Sequence, residues 1–167
     1  MWQKHGHFLK KLRDNISDVK EILKPEYSLL DAGCCEGHMY RELGHKKYLG
    51  IDLFPQFIAE ARRNYPEAKF QQWDIFDLSG SWDVVLASRV LIHIPDFKGA
   101  FEKLLSCTRK KLILFVSIGG DEKGIELIKG RPVYLQNFSR KTLESLGKCE
   151  IRERGSYATV IYDPLLP

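Results

Sequence analysis

Between positions 27 and 116, five short runs, four of them largely apolar, are separated by stretches in most of which apolar residues recur every three or four positions. The runs, at 27–30, 48–53, 69–73, 83–87 and 112–116, read as strands, and the last is unbroken, as suits a sheet covered on both faces. Three of the stretches between them read as helices. One carries Met39, Tyr40 and Leu43 and is closed by Gly44; a second carries Phe57, Ile58, Ala61 and Tyr65 between Pro55 and Pro66. A third carries Phe97, Ala100, Phe101, Leu104 and Leu105, with Asp96 as its N-cap. Strands that alternate with helices build a mainly parallel, doubly wound α/β sheet with right-handed crossovers. A chain of 167 residues supports one such domain and not two ordinary ones.

Outside this core the pattern changes. Phe8, Leu9, Leu12, Ile16, Val19, Ile22 and Leu23 form one apolar stripe that Pro25 ends, which predicts an N-terminal helix within residues 1–24. Residues 118–131 carry four glycines and read as a mobile connection with a short helix at 125–128. Phe138 and Ser139 have the spacing of a staple and cap for a helix bearing Leu143. Residues 149–154 and 157–162 flank Gly155-Ser156, a two-residue hairpin turn with glycine first.

Composition narrows the class. With 44% hydrophobic and 29% charged residues the chain is that of a globular protein, and no apolar run approaches the roughly 18 residues of a membrane span. The N-terminus lacks the apolar core of a signal peptide, so a cytoplasmic protein is expected, with no membrane partner. The net charge of +4 is mild, and the triplet Arg109-Lys110-Lys111 suits a solvated turn, so a nucleic-acid partner is not indicated. Cys34, Cys35, Cys107 and Cys149 lack the paired spacing of a zinc site, and neighbours such as Cys34 and Cys35 could close only a strained ring; reduced thiols fit best. His5 and His7 are the only close histidine pair, and no metal site is expected.

A doubly wound sheet binds its ligands at the carboxyl ends of its strands. The residues placed there are Gly33, Asp52, Asp74, Ser88 and Arg89. Gly33 and Gly37 bracket a tight strand-to-helix turn in which backbone N–H groups can approach a ligand. Asp52, at the end of the second strand, has the place of a carboxylate that receives two vicinal ribose hydroxyls. Asp74 holds the equivalent place after the third strand, where it serves either as a helix cap or as a ligand contact.

Taken as an ordered set, residues 27–116 resemble the class I S-adenosylmethionine-dependent methyltransferases. Leu29-Leu30-Asp31-Ala32-Gly33-Cys34-Cys35-Glu36-Gly37 resembles their first motif and Tyr48-Leu49-Gly50-Ile51-Asp52 their second. Gln71-Gln72-Trp73-Asp74-Ile75 is similar to the adenine-binding turn, and the segment from Trp82 through Ser88, Arg89 and His93 to Asp96 to the fourth motif of small-molecule members. The resemblance implies a Rossmann-like methyltransferase fold, a seven-stranded, mainly parallel sheet with a C-terminal antiparallel hairpin. It implies S-adenosylmethionine as cofactor and methyl transfer to an O or N atom of a small molecule. Asp31 and Gly33 would then hold the methionine amino group within the cofactor turn that Cys34 and Gly37 complete. Asp52 would hold the ribose and Asp74 the adenine amino group. The Ile75 N–H would meet the adenine ring, which the Leu53 and Ile75 side chains would sandwich, and Ser88 and Arg89 would line the sulfonium.

The chain departs from that family at Cys35, where glycine is usual; a positive φ there would strain the turn by roughly 1–2 kcal/mol. A nicotinamide oxidoreductase fails on spacing, because its fingerprint needs glycine where Cys35 and His38 stand. An RNA-directed methyltransferase and a non-catalytic cofactor-binding module remain open as alternatives. Base-amine methylation is disfavoured, since Ala87-Ser88-Arg89-Val90 replaces the Asn/Asp-Pro-Pro-Tyr/Phe box. His93 is the candidate general base, or else a packed loop residue bonded to backbone. Trp2, His5 and His7 form a candidate lid, with packing against the first helix as the other role for Trp2. The sequence does not specify the oligomeric state.

Overall fold

The computed structural model describes residues 15–128 and 131–165, and for Ile128 and Arg131 the backbone alone. Helix α1 covers residues 15–22 of the described chain. The order continues β1 (Leu29–Ala32), α2 (His38–Leu43), β2 (Tyr48–Asp52), α3 (Pro55–Asn64), β3 (Lys69–Gln72), β4 (Trp82–Ser88), α4 (Phe97–Ser106), β5 (Thr108–Ser117), β6 (Lys123–Ile128), β7 (Arg131–Gln136), α5 (Arg140–Ser145), β8 (Cys149–Arg154) and β9 (Tyr157–Tyr162). Short 3-10 turns occupy Ile75–Asp77 and Leu91–His93. The first part of the expected N-terminal stripe, with Phe8, Leu9, Leu12 and the candidate lid residues Trp2, His5 and His7, lies outside the described residues.

Seven strands form one sheet in the order β3-β2-β1-β4-β5-β9-β8. Strands β1 to β5 pair in parallel, while β9 runs antiparallel to β5 and to β8. This is the mainly parallel, doubly wound sheet with a closing antiparallel hairpin, and Gly155 turns that hairpin at φ +65°.

Burial follows the strand period. Leu30, Ala32, Val85, Ala87, Leu112, Leu114 and Val116 point to the face covered by α4 and α5, where Ala100, Phe101, Leu104 and Leu143 meet them. Leu29, Val84, Leu86, Ile113 and Phe115 point to the other face, against Ile16 and Val19 of α1, Met39 of α2, and Ile58 and Ala61 of α3. Each of the larger side chains among them contributes roughly 1.5–3 kcal/mol by leaving water.

The local signals act where the sequence places them. Pro55 opens α3. The Asp96 carboxylate caps α4 by accepting from the Gly99 N–H, and Gly44 closes α2 in the left-handed region. The Ser139 hydroxyl caps α5 by accepting from the Thr142 N–H, with Phe138 and Leu143 both buried beside it.

One segment differs from expectation. Residues 125–128 belong to a strand, not a short helix, and the connection read as mobile forms an antiparallel ribbon of β6 and β7. Ile125 faces Tyr134 and Leu127 faces Pro132 across it. A four-residue helix closes almost none of its own hydrogen bonds, whereas pairing satisfies the backbone of both segments. The ribbon hangs on the turn after β4: Gln136 Nε2 donates to the Leu91 and Ile94 carbonyls, each at 2.8 Å.

Helix α1 is fastened to the opposite end of the sheet order by charge. Buried Asp18 accepts from Thr159 Oγ1 (2.6 Å), from Arg152 Nη1 (2.8 Å) and twice from Arg154 (2.7 and 2.9 Å). Burial by itself would raise the carboxyl pKa, but the bonds from Arg154, Thr159 and Arg152 outweigh it and hold the group below the usual aspartate range. Its contribution to stability is therefore present above the ordinary aspartate pKa and is lost as pH falls through the lower folded value. Asp18→Ala, which takes the carboxylate from Arg154 while Arg152 keeps Glu21 and Glu150, is expected to cost about 1–3 kcal/mol. Urea unfolding at neutral pH checks this; an unchanged midpoint would remove Asp18 as the fastening of α1. Among the described residues no helix is long and apolar enough to cross a membrane.

Candidate functional site

The strand order reverses between β1 and β4, and the crevice of such a sheet opens there, beyond the carboxyl ends of the strands. On the β1 side the chain makes the turn 33–37. The Gly33 and Cys34 N–H groups both donate to the Ile51 carbonyl of β2, at 2.8 and 2.9 Å. Gly33 has φ +77°, and a β-carbon there would stand 2.8 Å from Val90. Gly37 has φ +84°, and a β-carbon would meet the Tyr65 ring at 2.8 Å. Both positions thus need glycine twice over, for backbone conformation and for close approach. Between them Cys35 does take a positive φ, +48°, so the turn holds the strain that its departure from glycine implied.

Asp52 ties this turn to β2. Its Oδ2 accepts from the Cys35 N–H and its Oδ1 from the Phe54 N–H, both at 3.0 Å. Each oxygen keeps acceptor capacity, so the carboxylate is fixed in direction yet able to receive a pair of hydroxyls.

Asp31 is wholly buried on the face that α1, α2 and α3 cover. Its Oδ2 accepts from the Tyr48 hydroxyl at 2.6 Å, while Oδ1 has no partner among the described residues. Burial pushes its pKa up to about 7, the Tyr48 bond opposing and the Asp52 charge adding to the rise. Cys34 donates its backbone to the turn, but its thiol is buried in the core, where desolvation and the neighbouring carboxylates push its pKa far up.

The ends of β2 and β3 lie side by side and are edged by Leu53, Phe54 and Phe76, each about half exposed. Asp74 caps the turn Ile75–Asp77 by accepting from the Phe76 N–H at 3.0 Å. The Ile75 side chain is buried in the core, while Leu53 stands out into solvent.

Across the crevice β4 ends at Ser88, and Arg89 follows with φ +59°, its N–H on the Phe115 carbonyl and its guanidinium 5.2 Å from the Tyr157 ring centre. Non-glycine residues in this region cost energy and gather at functional sites. Beside Arg89 lies a cleft of about 310 Å³ whose walls include Ser117, Glu122, Lys123 and Gln136 under the β6–β7 ribbon. His93 is exposed next to Ile92 of that cleft, and its Nδ1 meets the Tyr134 carbonyl at 3.0 Å. A carbonyl only accepts, so Nδ1 carries the proton and Nε2 of the neutral ring is the basic atom.

The structure therefore gathers Asp31, Gly33, Gly37 and Asp52 around one turn, sets Asp74 at the next strand end, and places Ser88 and Arg89 across the crevice. Sequence reasoning missed Tyr48, Phe54, Phe76 and the ribbon. For Tyr48 a signal existed, since Gly50 two residues on leaves an empty place on the same strand face.

A family model described as a methyltransferase domain matches residues 30–116, just over half of the chain. The chain belongs to this methyltransferase domain family. The matched stretch contains Asp31, Gly33, Gly37, Asp52, Asp74, Ser88, Arg89 and His93. A curated relative, trans-aconitate 2-methyltransferase of Deinococcus radiodurans, is 28% identical over 100 residues, which are 57% of this chain and 39% of the relative. The match thus spans well under half of that relative's length.

Solved structures extend the likeness to nearly the whole chain. A protein of Pyrococcus horikoshii is similar with a TM-score of 0.77 at 16% identity, covering 95% of this chain and 92% of that one. The DhpI–SAH complex gives 0.71 at 20% identity, over 95% and 88%. Magnesium protoporphyrin IX methyltransferase of Synechocystis with bound SAH gives 0.67 at 18% identity, over 92% and 81%. At these identities the likeness is one of fold.

Within this methyltransferase domain the strained turn makes its own test. Cys35→Gly should relieve the left-handed strain and raise the thermal midpoint by about 2–4 °C, equivalent to about 1 kcal/mol. Cys35→Val, β-branched at a positive φ, should lower it. Calorimetric scans that rank valine above cysteine would show that the turn is unstrained.

Proposed function

We propose that the protein transfers the methyl group of S-adenosylmethionine to an oxygen or nitrogen atom of a small-molecule acceptor and releases S-adenosylhomocysteine. One observation carries the reading. On neighbouring strands, either side of a glycine turn, stand a buried carboxylate with an unpartnered oxygen and a second carboxylate whose two oxygens are held in direction by backbone amides. An ammonium and a vicinal diol are what such a pair receives, and the methionine and ribose parts of the cofactor supply them.

In this reading Asp31 takes the methionine amino group and Asp52 the ribose hydroxyls. The second oxygen of Asp74 and the Ile75 N–H face the adenine, whose flanks rest on Leu53 and on the exposed aromatic edge of Phe54 and Phe76. Ser88 and Arg89 border the reacting end. When bound, the cofactor's sulfonium supplies the activated methyl group; the residues around it orient the acceptor in line and exclude water. The cleft beneath the ribbon is of a size for a small acceptor, and two similar proteins, a trans-aconitate 2-methyltransferase and a magnesium protoporphyrin IX methyltransferase, support that class. Residues 1–167 form one domain in this proposal.

Asp52→Ala removes charge-assisted bonds worth roughly 1.5–3 kcal/mol each. Titration calorimetry should show S-adenosylmethionine bound about tenfold to a few hundredfold more weakly by a variant with an unchanged circular dichroism spectrum. Equal affinity would take Asp52 out of the site.

His93, its ring fixed by the Tyr134 carbonyl and its Nε2 left basic, is the base that accepts the acceptor's proton. His93→Ala and His93→Gln should lower kcat at saturating cofactor by about a hundredfold or more. Near-normal kcat in both would make the histidine a support of the ribbon, with orientation alone carrying the transfer.

A further inference from the structure

Tyr48 lies in the core, on a strand whose end forms the cofactor crevice, and its hydroxyl is the only hydrogen-bond partner of the Asp31 carboxylate among the described residues. A tyrosine reaching a carboxylate on the next strand needs an unobstructed path. In the parallel register Tyr48 is level with Leu29, and Asp31 is level with Gly50, two residues further on. Side chains at 48 and 50 share a face of β2. A β-carbon on Gly50 would stand 2.9 Å from the Tyr48 hydroxyl and 2.7 Å from the Phe70 ring. The absent side chain of Gly50 is the space through which Tyr48 crosses to Asp31. The ring itself is held by Tyr40 at 5.1 Å and Phe70 at 5.7 Å between centroids.

The consequence is directional. A carboxylate with one oxygen bound to a fixed hydroxyl cannot rotate, and its second oxygen points one way. We infer that Tyr48 is a positioning residue for the cofactor: by holding Oδ2 of Asp31 it aims the unpartnered Oδ1 at the primary ammonium of the methionine moiety. The inference rests on the methyltransferase reading and assigns within it a residue that makes no ligand contact of its own.

The groups facing Asp31 favour a coupling to pH. Among the described residues they are Tyr48 and Asp52 from β2, with Cys34 and Cys35 from the turn, and none of these carries positive charge. Asp31 is pushed up to about 7, chiefly by burial, and the Tyr48 bond acts against that rise. Below that pH the free protein holds the proton and must release it to receive an ammonium. Affinity for an amino-acid-bearing ligand therefore climbs with pH, by up to about tenfold per unit, and levels off above the Asp31 pKa. Removing the hydroxyl removes the opposing effect, which moves the inflection to higher pH.

The experiment is titration calorimetry on the full chain between about pH 5.5 and 8, with two probes. S-adenosylhomocysteine carries the amino-acid end, and 5′-methylthioadenosine lacks it. Tyr48→Phe keeps the ring and its packing. It should bind S-adenosylhomocysteine roughly tenfold more weakly at pH 7, with the inflection shifted upward, and bind methylthioadenosine as the wild type does. Asp31→Asn should flatten the pH profile for S-adenosylhomocysteine while binding methylthioadenosine normally. If Tyr48→Phe and wild type share one affinity and one pH profile, the inference fails. If the substitution weakens both probes alike, Tyr48 is a prop of the fold and the inference also fails. A wild-type protein that binds neither probe overturns the functional reading, and with it this one.

Discussion

Five neighbouring strands of this protein run parallel, and a parallel pair can be joined only by a crossover that must lie on one face of the sheet. With α1, α2 and α3 on one face and α4 and α5 on the other, the strand interiors are closed to water. Polar groups that serve a ligand are thereby driven to the strand ends. Gly33, Asp52, Asp74 and Ser88 are all there, at one edge of the sheet. Asp31 is the exception. It is placed one residue too early, on a buried face, where a carboxylate is costly unless something compensates it. One oxygen has Tyr48; the other has no partner among the described residues.

The turn between β1 and α2 shows how closely the strand ends are coupled. Three backbone amides in a row, at positions 33, 34 and 35, are spent on β2: two on the Ile51 carbonyl and one on the Asp52 carboxylate. Asp52 is thus both a structural clamp and a candidate ligand group, and the clamp is what gives it a fixed direction. The strain at Cys35 and at Arg89 sits on the two sides of the same crevice, where surrounding structure holds both residues in a conformation that neither prefers.

Much of this was legible in the sequence, because the informative signals were local. Pro55, Asp96, Ser139 and Gly44 each act within one turn of their own position, and the polar residue at the end of each apolar run marks a strand end without any knowledge of its neighbours. What escaped were pairings across the chain. Asp18 meets Arg152 and Arg154 more than a hundred residues away. Tyr48 has a role only through the register that sets Gly50 against Asp31. The β6–β7 ribbon was missed for a different reason. Ile125, Leu127 and Ile128 are spaced closely enough to suggest a helix, and the strand they form borrows no burial to betray itself: Ile125 and Leu127 are 72% and 76% exposed. Phe54 and Phe76 gave no periodic signal, since they follow strand ends and pack on no core.

The suspension of that ribbon has a consequence for how such a molecule can diversify. Besides its two chain connections, β6–β7 is attached to the turn after β4 by bonds from Gln136 to the Leu91 and Ile94 carbonyls and by the His93–Tyr134 contact, all three of which end on backbone oxygens. Backbone acceptors are indifferent to which side chains surround them. The outward residues of the ribbon can therefore be exchanged wholesale while the strands that carry Asp31 and Asp52 remain untouched. The part of the molecule that would choose a partner and the part that would hold the reagent are free to drift at different rates.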